Sequence, residues 1–250
     1  MKGFTINKRI YYYLTAASLI LIWAVLARLV GNPVIIPSPG ETLERMVEIV
    51  KDERFSLHIY HTLRRSIQSF ALTLFFALLL GILSSMVKVV NLYMVPILAL
   101  LRSVPTMAII ILTLIWLSSD HAPILIGMIV VFPIVYESVY RGMLNVDNRL
   151  IQMANLYSVN HIDIIRDIYL PTIYVYLGSV IGASLGLTLK SVIAGEVLGQ
   201  PRFSIGASLQ LEKLFLNTAG VFAWIAIVVF LVAALEMVFR ALFAKTEHWK

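Results

Sequence analysis

The chain has 250 residues, 60% of them hydrophobic and only 14% charged, with a mean hydropathy of +0.88. Soluble domains carry about 25% charged residues, so this composition excludes an ordinary soluble enzyme or binding module and points to an integral membrane protein. The formal charge of +6 does not mark a nucleic-acid protein, because the basic residues cluster beside apolar spans rather than in a stripe, and the lack of cysteine excludes disulfides and thiolate metal sites.

Lys2, Lys8 and Arg9 precede a first apolar span at about 11–31. No small-residue cleavage site is evident, so this start reads as a membrane span and not as a cleaved signal. The loop VIIPSPGE follows; its prolines forbid helix, and Ser38 with Pro39 begins a new one. Residues 40–51 place Leu43, Met46, Val47 and Val50 on one face, the pattern of an interfacial amphipathic helix. A second span is expected over 62–86, a third over 92–117 with an interruption at Pro105, and a fourth over 122–140 after the turn SSDHAP. A fifth runs over 172–194, and a last one over 218–243 follows a loop containing GQPRFSIG. Each is long enough for a hydrocarbon core of about 30 Å.

Between the fourth and fifth spans lies a polar island, Gln152 to Pro171, too polar to cross a bilayer. Its apolar residues, Met153, Leu156, Val159, Ile162, Ile165 and Ile168, recur about every third position. That pattern predicts two short amphipathic helices broken near Ser158, with Asn160 as N-cap of the second and Asp163 near its positive end. Such a pair on the surface of a membrane protein points to docking with a soluble partner.

Orientation follows from the basic residues. With the N-terminus inside, Lys2, Lys8, Arg9, Lys88, Arg141, Arg149, Arg166, Arg240, Lys245 and Lys250 are cytoplasmic, against Arg45, Lys51, Arg54, Arg202 and Lys213 outside. This asymmetry predicts that both termini and the polar island face the cytoplasm; Arg64 and Arg65, at the outer end of the second span, weaken it without reversing it.

Five segments, read in order, resemble the permease subunits of binding-protein-dependent ABC importers. They are IIPSPGE, LRSVPTM, FPIVYESVYRGMLNVD, the polar island and AGEVLGQPRFSIG. The family's cytoplasmic loop reads Glu-Ala-Ala, three residues, Gly, then Leu-Pro about a dozen positions on. Here Gln152, Met153, Ala154, Ser158, Leu170 and Pro171 occupy those places, with identity at Ala154, Leu170 and Pro171. The chain is most similar to the subgroup that imports sulfonates, taurine, nitrate, bicarbonate or thiamine precursors.

The resemblance implies an all-α membrane protein of about six spans with the form of a type I importer permease. Residues 1–61 would form an N-terminal transmembrane helix and outer amphipathic segment, and 62–250 the permease core with a coupling loop at 142–170. It implies a second permease copy, hence a homodimer, two ATP-binding cassette subunits and an extracytoplasmic substrate-binding protein. Gln152, Met153, Ala154, Asn155, Leu156, Ser158, Asn160, Leu170 and Pro171 would couple to the ATPase. The chain has no GxxxxGK[ST] loop and so no nucleotide site of that kind, and needs no cofactor of its own; ATP and Mg would be bound by the partner subunits.

Arg102, Ser103, Pro105 and Met107, together with Lys190 and Glu196, are the candidate path or gate residues. Arg102 has two readings, a gate group or an anchor that snorkels to the cytoplasmic surface. Lys190 could draw an anion to the translocation mouth, pair with Glu196 across a break at Gly195, or reach the outer headgroups. Glu236 and Arg240, four apart, read as a structural pair. Gly178, Gly182 and Gly186 form a small-residue stripe for close helix approach, within the subunit or across a dimer. His58 and His61 could chelate a metal on one helical face but lack a third ligand nearby, so no metal site is expected. A secondary transporter is the main alternative, but it would need carboxylates or broken helices deep in the membrane, and Glu137, Glu196 and Glu236 all fall near span ends. A membrane enzyme lacks a nucleophile–base pair.

Overall fold

The computed structural model describes residues 8–246, and every regular element there is helical. In chain order these are α1 (Lys8–Val30), α2 (Pro39–Lys51), α3 (Phe55–Met86), α4 (Lys88–Ser103), α5 (Thr106–Trp116), α6 (Ala122–Leu144), α7 (Asn148–Leu156) and α8 (His161–Ile164). A π-helical turn at Ile165–Tyr169 leads into α9 (Leu170–Gly199), followed by α10 (Ile205–Leu214) and α11 (Thr218–Thr246). Among the described residues α1, α3, α6, α11 and the run ending in α9 are long and apolar enough to cross a membrane, and α4 with α5 qualifies as one bent span.

The chain divides into two compact units, one formed by residues through Ser56 with Ser208–Val229, the other by Leu57–Ala207 with the chain from Phe230 on. In the first, Ser38 closes a capping box on α2: its hydroxyl accepts from Glu41 N at 3.2 Å, and Glu41 Oε2 accepts from Ser38 N at 2.8 Å. Trp23 of α1 donates to Pro37 O at 2.9 Å and stacks on Phe222 of α11 at 5.6 Å. Arg45 of α2 bonds both Glu48 and Glu212.

The second unit is built on α6 and α9, its most extensively packed pair. A Cβ on Gly142 would stand 3.0 Å from Ile173 Cα, and one on Gly195 would stand 2.7 Å from Ile126 Cδ1. Close approach at both ends makes the pair antiparallel, and only glycine permits it. Phe70 and Ala77 of α3, Met94 and Leu98 of α4, Val131, Val135 and Val139 of α6, and Leu177, Ile181 and Leu185 of α9 form the core.

In α3 the usual polarity is inverted. Thr62, Arg65, Ser66, Ser69, Thr73, Gly81 and Ser84 are buried, whereas Ile67, Leu72, Phe75 and Leu79 are exposed. An apolar outer face costs nothing against lipid tails, and small inner residues let backbones approach.

Two expectations are corrected and one is met. The second span begins at Phe55, two turns before residue 62, because no proline or glycine interrupts 55–62 and the charge of Arg65 is neutralised inside the fold. The interruption expected at Pro105 is present, as a bend of 101° between α4 and α5. Pro105 supplies no N–H and drives Val104 into an extended conformation (φ −71°, ψ 127°), as the residue before a proline prefers. The fifth span does not break at Gly195: α9 continues to Gly199 and ends at Gln200, which is left-handed (φ 46°). Gly195 serves helix packing and not chain reversal.

Candidate functional site

At the end of the α6–α9 pair where α9 finishes, a buried polar network joins three helices. Arg65, 1% exposed, donates from Nη1 to Glu196 Oε1 and to Phe203 O, both at 3.0 Å, and from Nη2 to Asp120 Oδ1 at 2.5 Å. Glu196, fully buried, also accepts from the Thr62 hydroxyl at 2.8 Å and from Gly206 N at 3.3 Å. The same hydroxyl accepts from Ile205 N at 3.0 Å. The carboxylate therefore ties the first turn of α10 to α3, and the geometry demands glycine at 206, where a Cβ would lie 2.4 Å from Glu196 Cβ.

Glu196 faces Arg65, while Lys190 is exposed on α9 with no ion pair among the described residues. Of the two histidines, His58 accepts at Nδ1 from Ser204 N at 3.1 Å, and His61 stacks on Phe203 at 5.8 Å.

At the opposite end, α6 passes into the polar island. Asp147 caps α7, accepting from Arg149 N at 2.8 Å. The helix ends at Tyr157, Ser158 turns left-handed (φ 52°), and two bonds seal the turn: Ser158 N to Asn155 O at 3.1 Å and Val159 N to Ala154 O at 2.9 Å. That is a Schellman motif, with Ser158 where glycine is usual. Asn160 then opens α8, its Oδ1 accepting from Ile162 N at 3.4 Å. The π-helical turn follows, and Leu170 and Pro171 begin α9 as half-exposed residues.

The loop's exposed face is apolar. Met153 is 54% exposed, Leu156 81%, Tyr157 75% and Ile162 69%, with Gln152 and Asn155 exposed among them. Ala154 points the other way and is buried within the chain.

Arg102 lies at this same end. It bonds Glu137 Oε2 at 3.2 Å, and Glu137 also takes Arg141 at 2.8 Å. Arg102 is thus partnered by a carboxylate of α6. Ser103 donates to Leu100 O at 3.0 Å at the helix end, Pro105 begins the bend, and Met107 is exposed on α5. In the glycine stripe, Gly186 meets Val232 and Glu236 of α11, Gly182 has open space beside it, and Gly178 is exposed. The Arg240 side chain lies outside the described residues.

Residues 74–248 match the model of one protein family, the binding-protein-dependent transport system inner membrane component. The chain belongs to this family. Among its relatives, the aliphatic sulfonates transport permease protein SsuC of Bacillus subtilis is 27% identical over 95% of this chain and 86% of its own length. The taurine transport system permease protein TauC of Escherichia coli is 26% identical over 94% and 88%. A crystal structure of an amino acid ABC transporter shares the fold: TM-score 0.57 at 17% identity, covering 78% of this chain and 94% of that one. The protein is therefore a multi-pass permease component of a binding-protein-dependent ABC importer, and the secondary-transporter reading is not favoured. Sequence reasoning about this permease missed the buried Arg65–Glu196 pair. The signal was present: Thr62, Arg65, Ser66, Ser69 and Thr73 recur at helical spacing in an otherwise apolar span, and a polar stripe facing lipid would be costly.

Proposed function

We propose that the α7–α8 loop is the element through which this permease receives the work of ATP hydrolysis. The observation that carries the reading is a set of exposed apolar side chains, Met153, Leu156, Tyr157 and Ile162, on two short helices rich in polar residues. A helix of this kind docks into a groove by its apolar anchors, while Gln152, Asn155 and Asn160 set register. The loop joins α6 directly to α9, so a displacement of the docked helices is delivered to both ends of the most tightly packed pair in the unit.

On this reading two copies of the chain form the path and two ATP-binding cassette subunits hold ATP and Mg at the cytoplasmic side. An extracytoplasmic binding protein delivers the solute, and this chain hydrolyses nothing itself. The distribution of lysine and arginine supports cytoplasmic termini and a cytoplasmic loop. The names of the two relatives support a small organosulfonate as cargo. Arg102, Ser103, Pro105 and Met107 at the 101° bend, with Lys190, remain the proposed path residues, and Leu170 and Pro171 the start of the moved helix.

The test is Met153→Asp with Leu156→Asp. Both positions are exposed, so the permease inserts and extracts at wild-type yield. Loss of two anchors worth about 2 kcal/mol each weakens the complex about a thousandfold, and the ATPase subunits no longer co-purify. Intact co-purification with undiminished ATP-driven uptake would remove the coupling role from this loop.

A further inference from the structure

Beside the Arg65 network, at the end of α6 and α9 away from the α7–α8 loop, lies an open cleft of about 930 Å³. Its rim carries His61, Arg64 and Gln68 of α3, Asp120 and His121 of the turn before α6, and Arg202 of the loop after α9. Its wall is apolar: Ala71, Leu72, Leu117, Ile124 and Leu125. From His61 to Leu72 the cleft follows about 16 Å of helix, so the polar groups sit at the mouth and the apolar ones deeper.

The charges at this mouth are not balanced. Three guanidinium groups, Arg64, Arg65 and Arg202, face two carboxylates, Asp120 and Glu196, and Arg65 alone engages both of those. Arg64 and Arg202 are exposed and have no ion pair among the described residues. The Arg202 guanidinium lies over the Phe203 ring, 5.2 Å from its centroid, a cation–π contact that leaves its charge uncompensated. His121 is oriented by Ser118 Oγ at 2.9 Å, and His61 lies against Phe203. Two exposed cations beside an apolar wall match a ligand with an anionic head and an aliphatic body. Guanidinium forks favour an oxyanion with several acceptor oxygens over a halide.

We propose that this cleft is a binding site for a small alkyl oxyanion, of the sulfonate or phosphonate class. Arg64 and Arg202 hold the head, and the surface from Ala71 to Leu125 takes the alkyl chain. The assignment rests on the importer reading, which puts this end of the permease on the side from which solute enters. The phosphate head of an anionic lipid has the same chemistry, and the experiment separates the two sources.

The whole transporter, permease with its ATPase subunits, is placed in nanodiscs of phosphatidylcholine alone, without the external binding protein. Binding of butane-1-sulfonate is measured by calorimetry. The expected result is saturable binding, weakened at least about tenfold by Arg64→Gln and again by Arg202→Gln, with partial rescue by Arg64→Lys. Butylamine, of the same length and opposite charge, does not bind. Both arginines are exposed, so the variants assemble with the ATPase subunits as the unaltered protein does.

Undiminished sulfonate binding in the Arg64→Gln, Arg202→Gln double variant overturns the site while leaving the importer reading intact. So does a sulfonate that never binds while phosphatidylglycerol is retained through the same arginines, since the cleft is then a lipid site. A permease that recruits no ATPase subunit and supports no ATP-driven uptake overturns the importer reading and this proposal with it.

Discussion

The two ends of the α6–α9 pair solve opposite problems. Where α9 ends, charged and polar groups are inside: Arg65, Thr62 and Glu196 are buried and bonded to one another. Where α6 ends, the chain is rich in polar residues, yet Leu156, Tyr157 and Ile162 stand exposed. At the first end the buried charges of Arg65 and Glu196 are bonded to each other, while Arg64 and Arg202 stand exposed at the surface. The second leaves apolar side chains uncovered on short helices rich in polar residues, and on the proposed coupling role a partner protein covers them. Substitutions should therefore act on folding at one end and on assembly at the other.

The sharpest way to break that contrast is Arg65→Ala. It strands a fully buried carboxylate, and removing one partner of a buried pair costs about 3–5 kcal/mol. The expected outcome is loss of monodisperse protein on extraction and a large fall in melting temperature. Removing both charges together, Arg65→Met with Glu196→Leu, should recover part of the loss, since well-packed apolar replacements often equal a buried ion pair. Arg102→Ala is the control: that pair is half exposed, at 52% and 34%, and its removal should cost less than about 1 kcal/mol. Equal losses for Arg65 and Arg102 would erase the distinction between the ends.

Gly206→Ala should come next. The added methyl meets Glu196 Cβ and Val197 N at 2.4 and 2.5 Å, both on the rigid α9 helix. Overpacking of this kind costs about 1–3 kcal/mol and should appear as lower thermal stability with ATPase assembly unaffected. A neutral Gly206→Ala would mean that α10 is free to move away from α9.

Much of this architecture was legible from local chemistry. Ser38-Pro39-Gly40-Glu41 announces a capped helix start, Pro105 a helix break, and the three-residue rhythm from Met153 to Ile165 a pair of short helices; each depends on neighbours in sequence. What depends on distant residues was hidden. Arg65 finds Glu196 across 131 positions, and no spacing rule connects them. Gly195 looked like a hinge because glycine permits both bending and close approach; only the position of Ile126 and Pro123 against it decides for approach. Ala154 matches the family's loop by identity, but only the fold shows that the helical phase turns it inward, leaving Met153 and Leu156 outermost.

The smallest effect discriminates most finely. Ser158 is the left-handed residue of the Schellman turn that separates α7 from α8. A left-handed conformation costs a side-chain-bearing residue roughly 1–2 kcal/mol, which Ser158→Gly relieves. Glycine also loses more chain entropy on folding, about 0.5–1 kcal/mol, so the net gain should be only on the order of 0.5–1 kcal/mol. The turn's two hydrogen bonds use backbone groups alone and survive the change. Co-purification and transport should then match wild type, with melting raised by about 1–3 °C. Ser158→Val tests the same point from the other side, because a β-branched residue resists φ near +50°. It should loosen the turn and reduce ATPase co-purification while insertion stays normal. If glycine lowers stability, or valine leaves coupling untouched, the sharp turn is not what presents Met153 and Leu156 to the partner. The exposed apolar face would then have to be held by the π-helical turn at Ile165–Tyr169 instead.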